Sequence, residues 1–352
     1  MTSPKAAFAL AGSLAIGLGT VGIVAQTSGT PGTPGTIDSH VAAAKAAAGQ
    51  DHPALFDTLC SPTALRPPAP ARGQAPPPAA AGAARGPAPA AGPRPAPPRA
   101  EWYAEPVKVF DNLYFVGQSE YSVWAVTTSE GIIVIDAIFD YSVEAEVADG
   151  LRKLGLDPTR IRYAIISHGH GDHHGGAKFL QEKFGTRIIM GAPDWDLVER
   201  GAARTPAPKR DIVATDGQKL TLGDTTLTLY LTPGHTAGTI STLVPVKDGG
   251  RTHLAAAWGG TAFNFPRTQE NFRTYINSAD RFRDIVTKAG ADVIIANHTR
   301  FDGTPKKVAA LAGRKPGQVH PYVIGKDAAA KYVTVAGECA RAALLSLPAA
   351  GN

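Results

Sequence analysis

Between positions 61 and 100 the chain has no acidic residue, and this gap accounts for its basic balance. Five arginines lie there (Arg66, Arg72, Arg85, Arg94 and Arg99), and the rest of the chain sets 30 basic residues against 30 acidic ones. The net charge of +5 therefore belongs to one segment. No basic patch with interleaved aromatics occurs, which argues against a nucleic-acid partner. No internal repeat is present, so a solenoid is not expected. Cysteine is scarce, at two in 352 residues. None stands directly after the apolar N-terminal stretch, which argues against a lipid-anchored form, and no twin arginine precedes that stretch.

Lys5 is the only early charge ahead of an apolar run over positions 6–25. With small residues around Val24, Ala25 and Gln26, residues 1–25 read as a cleaved export signal. An uncleaved anchor is the alternative, weakened by the run's many glycines and alanines. A periplasmic or secreted protein without stable membrane association is expected. Cys60 and Cys339 suit an oxidising compartment, either as a disulfide or as two separate buried thiols.

Residues 26–60 read as a spacer and one short helix over 38–59, capped by Asp38 or Ser39. Val41, Ala44, Ala48, Leu55 and Leu59 would form its apolar stripe, and Pro53 would kink or end it. Residues 61–100 hold 13 of the 29 prolines among Ala and Gly, a composition that cannot bury a core and predicts a disordered linker.

The compact domain is predicted over 101–352. Strands are expected at 107–116, 122–128, 132–136 and 161–167. The continuous β-branched run Ile132, Ile133, Val134, Ile135 suits a strand buried on both faces. Helices are expected at 141–154, 176–184 and 194–200, with a strand at 187–190. Further strands at 219–222, 226–231, 239–246, 252–257 and 292–296, with helices at 269–288 and onward to about 346, repeat the rhythm. Two strand-rich halves with helices outside predict an α/β fold of the four-layer αββα sandwich type.

His168, His170, Asp172 and His173 fall within six residues at the end of a predicted strand. Functional groups gather at such ends in layered α/β proteins. In an extended loop, His168 and His170 would point the same way, and Asp172 and His173 would diverge to a second position. Imidazole and carboxylate are good zinc ligands, at about 2.0–2.2 Å. Gly169 and Gly171 permit tight backbone turns. His235, in a turn after one strand, and His298, directly after another, complete a candidate six-ligand set. His40, His52, His174, His253 and His320 are expected to be non-ligands.

The succession His-x-His-x-Asp-His, then Pro-Gly-His-Thr, then a strand-end histidine, resembles the metallo-β-lactamase superfamily over residues 105–346. The resemblance implies the αββα fold and two Zn2+ ions, one held by His168, His170 and His235, the other by Asp172, His173 and His298. Many superfamily hydrolases, including glyoxalase II-like enzymes and lactonases, place a bridging aspartate after the strand at 252–257, and the first subclass of class B β-lactamases a cysteine. Here Ala257, Trp258, Gly259 and Gly260 offer neither. This is most similar to class B β-lactamases of subclass three. Two departures bear on substrate: glycines replace the serines often found there, and the loop over 201–210 is short.

The resemblance implies β-lactam ring opening by a zinc-activated hydroxide, with Asp172 as both ligand and orienting catalytic group and a small molecule as substrate. The closest rival is hydrolysis of another ester, lactone, thioester or phosphoester. A reading of another class is an exported, zinc-stabilised binding module without catalysis. The six-ligand set argues against that, because a structural zinc is normally closed by four ligands. Trp258, Phe263, Tyr121 and Trp195 could wall a pocket or belong to the core.

Overall fold

Two β-sheets lie face to face in the computed structural model, which describes residues 35–65 and 96–348. The expected signal at 1–25 and most of the expected linker at 61–100 fall outside those residues. The first sheet runs in sequence order: β1 (Val107–Lys108), β2 (Leu113–Phe115), β3 (Trp124–Thr128), β4 (Gly131–Ile135), β5 (Ile161–Ile165), β6 (Arg187–Met190) and β7 (Ile212–Val213). β1 to β4 pair antiparallel and β4 to β7 parallel. The second sheet holds β8 (Gln218–Leu222), β9 (Thr225–Leu231), β10 (Ile240–Asp248), β11 (Arg251–Trp258) and β12 (Val293–Ala296), in the order β12-β11-β10-β9-β8. It is antiparallel except for the β11–β12 pair.

The period-two alternation of strand side chains divides the apolar residues into three cores. Ile133 and Ile135 of β4, Ala255 and Ala257 of β11, and Val293 and Ile295 of β12 fill the space between the sheets. Their neighbours Ile132 and Val134 turn outward to meet Val143, Val147, Leu151, Leu180 and Trp195 on the helical side of the first sheet. Ala256, Trp258, Ile294 and Ala296 turn outward on the second sheet, against the helices Gln269–Ala289 and Lys326–Leu345. This is the αββα sandwich that the strand pattern predicts.

The helix Gln269–Ala289 shows how local signals set one element. Thr268 caps it through its side chain, which accepts from Asn271 N–H, and Gly290 ends it in the left-handed region at φ 70°. Phe272, Tyr275, Ile276, Ala279, Phe282 and Val286 recur at three- and four-residue spacing and form its buried face.

Several expectations differ from the structure. The strand at 107–116 is a hairpin, because Asp111 and Asn112 make a turn in which Val109 and Phe110 both donate to Leu113 O. The helix at 38–59 is two helices, Ile37–Ala48 and Pro53–Leu59. Gly49 closes the first and Pro53 opens the second, where its missing N–H costs nothing. Thr36, not Asp38 or Ser39, is the cap; it forms a reciprocal pair with Ser39. At the margins of the expected linker, Pro62–Leu65 and Arg99–Trp102 are single helical turns.

Ala44, Ala48, Leu55 and Leu59 pack into the same core as the helix Lys326–Leu345. Cys60 is disulfide-bonded to Cys339 of that helix, with Cα atoms 5.1 Å apart. Of the two states open to these cysteines, the structure has the disulfide. Among the described residues no helix is long and apolar enough to cross a membrane.

Candidate metal centre

The first sheet delivers the histidine run to the sandwich edge. β5 ends at Ile165, and the chain continues through Ser167 to His170 before a helical turn at Gly171–His174. The expected extended loop instead bends through residues 167–170, with His170 in an extended conformation just before the helical turn. Asp172 and His173 ride the helical turn, which aims both at a second position. The second sheet supplies His235, after β9, and His298, after β12.

The six residues form two adjoining groups. His235 Nε2 lies 3.0 Å from His168 Nε2 and 3.1 Å from His170 Nδ1. Asp172 Oδ2 lies 3.2 Å from His173 Nε2 and 3.6 Å from His298 Nε2. Within each group the potential ligand atoms lie within 4.8 Å of one another. The rings of His168 and His173 are 4.1 Å apart, so the groups are neighbours.

Hydrogen bonds behind the rings determine what the facing atoms are. His168 Nδ1 lies 2.8 Å from Gly259 O, and His235 Nδ1 lies 2.7 Å from Ala262 O. A carbonyl only accepts, so both Nδ1 atoms carry the proton and both Nε2 atoms present bare lone pairs. Two lone pairs 3.0 Å apart repel unless a cation lies between them. A proton is a poor candidate: burial, then the neighbouring histidines, holds His168 well below the ordinary imidazole range, and burial and His170 hold His235 near about 3. A divalent metal fits. The second group fits as well, because the buried His173 Nε2 has no well-aligned hydrogen bond among the described residues and faces Asp172 Oδ2. Three imidazoles, and two imidazoles with a carboxylate, suit zinc-like ions.

The carboxylates differ in their roles. Burial opposes charge on Asp172, but His173 and His298 hold its carboxyl well below the usual range, so it stays ionised. Burial likewise opposes charge on His173, yet Asp172 and Asp136 raise it to about 10, so the flanking carboxylates favour a cation on Nε2, whether a proton or a metal that takes its place. Burial and the charge of His173 lower His298 to about 3.

Two buried aspartates escaped the sequence reading. Asp136 follows β4 at φ 67°, an unusual conformation for a non-glycine residue. Its carboxylate accepts from His173 Nδ1 at 2.8 Å, Ser167 N at 2.7 Å and Ser167 Oγ at 2.9 Å. A carboxylate ending a fully apolar strand was the available signal. Asp194 accepts from Gly169, Thr236 and Gly238. An acid in the first turn of a helix looks like an ordinary dipole partner, so its sequence carried no signal.

The end of β11 is closed to side chains. A Cβ on Gly259 would stand 1.9 Å from Ile240 O, and one on Gly260 would stand 2.3 Å from His235 Cβ. Gly259 contributes its carbonyl instead, to His168 Nδ1 and Asn297 Nδ2. Of the suggested pocket walls, Trp258 and Trp195 are core. Phe263 packs with Phe272 and Tyr275, and Tyr121 is half-buried with its ring 5.0 Å from that of His298. The remaining histidines are outside both groups: His40 meets Glu338, His52 Ala328 O, His253 Asp292 and His320 Val109 O, while His174 is buried behind the run.

The family model of the metallo-β-lactamase superfamily matches residues 116–249. Hydroxyacylglutathione hydrolase of Acidiphilium cryptum is 32% identical over 120 residues, which are 34% of this chain and 43% of that protein. The chain thus spans less than half the length of that curated relative. Among solved structures, BJP-1, a subclass B3 metallo-β-lactamase of Bradyrhizobium japonicum, is 28% identical with a TM-score of 0.59, over 67% of this chain and 91% of that one. A mutant of the metallo-β-lactamase from Cronobacter sakazakii is 30% identical with a TM-score of 0.56, over 66% of this chain and 93% of that one. Likeness that extends through almost a whole metallo-β-lactamase chain, added to the superfamily match from β3 to β10, makes this chain a member of the metallo-β-lactamase superfamily.

Proposed function

We propose that the protein hydrolyses β-lactams with two zinc ions, one on His168, His170 and His235 and the other on Asp172, His173 and His298. The observation that carries this reading is the end of β11. Neither Gly259 nor Gly260 can bear a side chain without collision, so no aspartate or cysteine joins the second group from there. An Asp, His, His site without such a ligand is the pattern that resembles subclass three. The likeness to BJP-1 supports the same reading.

Zinc bound at these groups would supply Lewis acidity toward a carbonyl and a nucleophilic hydroxide near neutral pH. The protein's part is positional and electrostatic. Gly259 O and Ala262 O hold His168 and His235 in the tautomer that leaves Nε2 free. Asp136 does the same for His173 and adds negative charge behind it. Asp172, ionised at the junction with His173 and His298, can accept the hydrogen bond that orients an attacking water. In the net reaction, water oxygen joins the ring carbonyl carbon, the C–N bond breaks, and the nitrogen takes up a proton to leave the ring-opened amino acid.

The curated matches favour a second reading. Hydroxyacylglutathione hydrolases are among the sequence relatives, so hydrolysis of an acylglutathione thioester is the specific rival. Zinc counted on the purified protein, with turnover of a chromogenic cephalosporin and of an acylglutathione measured with and without chelator, separates the two. Chelator-sensitive cephalosporin turnover is the expected result. Thioester turnover alone would replace it with the rival, and less than one zinc per chain after loading would remove the metal reading.

We further propose that the protein is exported to an oxidising compartment, which the Cys60–Cys339 disulfide supports.

A further inference from the structure

Asp194 lies behind the three-histidine group and is buried. Its Oδ2 accepts from Gly169 N at 2.7 Å and from Thr236 Oγ1 at 2.6 Å, and its Oδ1 accepts from Gly238 N at 2.9 Å. Gly169 separates His168 from His170, and Thr236 directly follows His235. One carboxylate therefore spans the two loops, one from each sheet, that bring the three imidazoles together. The fit is close: a Cβ on Gly238 would stand 2.8 Å from Asp194 Cβ, and one on Gly169 would stand 3.2 Å from Asp194 O.

The charge distribution gives this clamp a second role. The second group contains Asp172 and has Asp136 behind His173. The first group has only neutral imidazoles as donors, so a dication there is not compensated by its own ligands. Burial raises the Asp194 carboxyl, but all three groups that touch it are donors and pull toward its ionised form.

We propose that Asp194 is the positioning residue of the three-histidine metal site: it sets the spacing of His168 and His170 against His235 and supplies the negative charge those ligands lack. The inference rests on the reading that this group holds a divalent metal. Asp194→Asn preserves size but turns an amide NH2 toward an N–H or O–H donor. At least one of the three clamping bonds becomes a donor–donor contact.

The test uses the full chain with Asp194→Asn and, as a milder change, Thr236→Val, which removes one donor and keeps both N–H bonds. Bound zinc is counted, site affinities are measured by competition with a chromophoric chelator, and visible spectra are recorded after cobalt loading. Melting temperatures are taken with and without metal. Asp194→Asn should weaken one of the two sites by about 10–100-fold, leave the other near wild type, and change the cobalt spectrum. Thr236→Val should weaken the same site less, and the melting temperature of each variant should fall further below wild type with metal than without it.

Wild-type affinities and spectrum in Asp194→Asn would overturn the proposal. So would equal weakening of both sites, or a melting shift of the same size with and without metal, since either marks a merely structural role. If Asp194→Asn does not fold, unaltered affinities in Thr236→Val overturn it. Wild-type protein that takes up no metal would instead overturn the underlying metal reading.

Discussion

His173 donates Nδ1–H to the Asp136 carboxylate across 2.8 Å, and the same carboxylate holds the backbone and hydroxyl of Ser167. A single side chain at the end of β4 thus orients His173 of the second group and Ser167, the residue before His168. Asp136→Asn keeps an acceptor for one of these donors and removes the charge. Its second-site metal affinity should fall by about 10–100-fold, with the three-histidine site less affected. Equilibrium competition with a chromophoric chelator measures both.

Gly260 sits against His235. Any Cβ there meets His235 Cβ at 2.3 Å, both residues are buried, and the His235 ring is held by Ala262 O. Gly260→Ala should cost about 1–3 kcal/mol by overpacking and displace His235 from its group. Urea denaturation and zinc counting check the two effects. Gly260→Asp should likewise fail to provide a ligand, and increased zinc affinity in that variant would contradict the proposed closure of β11.

The N-terminal helices are held to the helix Lys326–Leu345 by apolar packing and by the Cys60–Cys339 bond. Replacing both cysteines with serine should reduce stability by about 2–4 kcal/mol without removing the sandwich. Denaturant titration of the double variant, compared with wild type before and after reduction, measures this. Unchanged stability would mean that the packing of Ala44, Ala48, Leu55 and Leu59 suffices alone.

Glu146 is fully buried on the helical side of the first sheet; one carboxyl oxygen accepts from Ala104 N and the other has no partner. Burial raises its carboxyl from the ordinary 4.5 to about 8, against the Ala104 hydrogen bond and nearby cations. The folded protein therefore keeps this proton where the unfolded chain has released it. Stability is uncompromised below about pH 4.5, declines as pH rises toward about 8, and is fully reduced above that. The slope is at most about 1.4 kcal/mol per pH unit. Glu146→Gln should flatten this part of the pH–stability curve, as measured by denaturant midpoints from pH 5 to 9. Equal slopes in the two proteins would contradict the assignment.

Much of the sandwich is legible in residue patterns because each sheet is buried on both faces and its strands are short. The run Ile132 to Ile135 cannot be half-solvated, and the Thr268 cap, the periodic face of the next helix and Gly290 bracket one element locally. The hairpin at 107–116 was missed because Asp111 and Asn112 interrupt an otherwise continuous β-rich run without a glycine. The break after Ala48 is partly visible in the sequence, where Pro53 marks a kink or an end but does not by itself announce a second helix.

The candidate site divides along the same line. By itself the sequence determined the donor chemistry, because His168, His170, Asp172 and His173 share one loop and their spacing constrains where they point. It also determined that Gly259 and Gly260 directly follow β11. Only the tertiary structure decided the rest: that His235 and His298 arrive from the other sheet, that Cys60 reaches Cys339, and that Asp136 and Asp194 stand behind the ligands. Those relationships join residues far apart in the chain, and a carboxylate's role depends on which donors surround it. Ordinary spacing rules act only within one strand, helix or loop. Distances across the sandwich are set by how the two sheets and their helices pack.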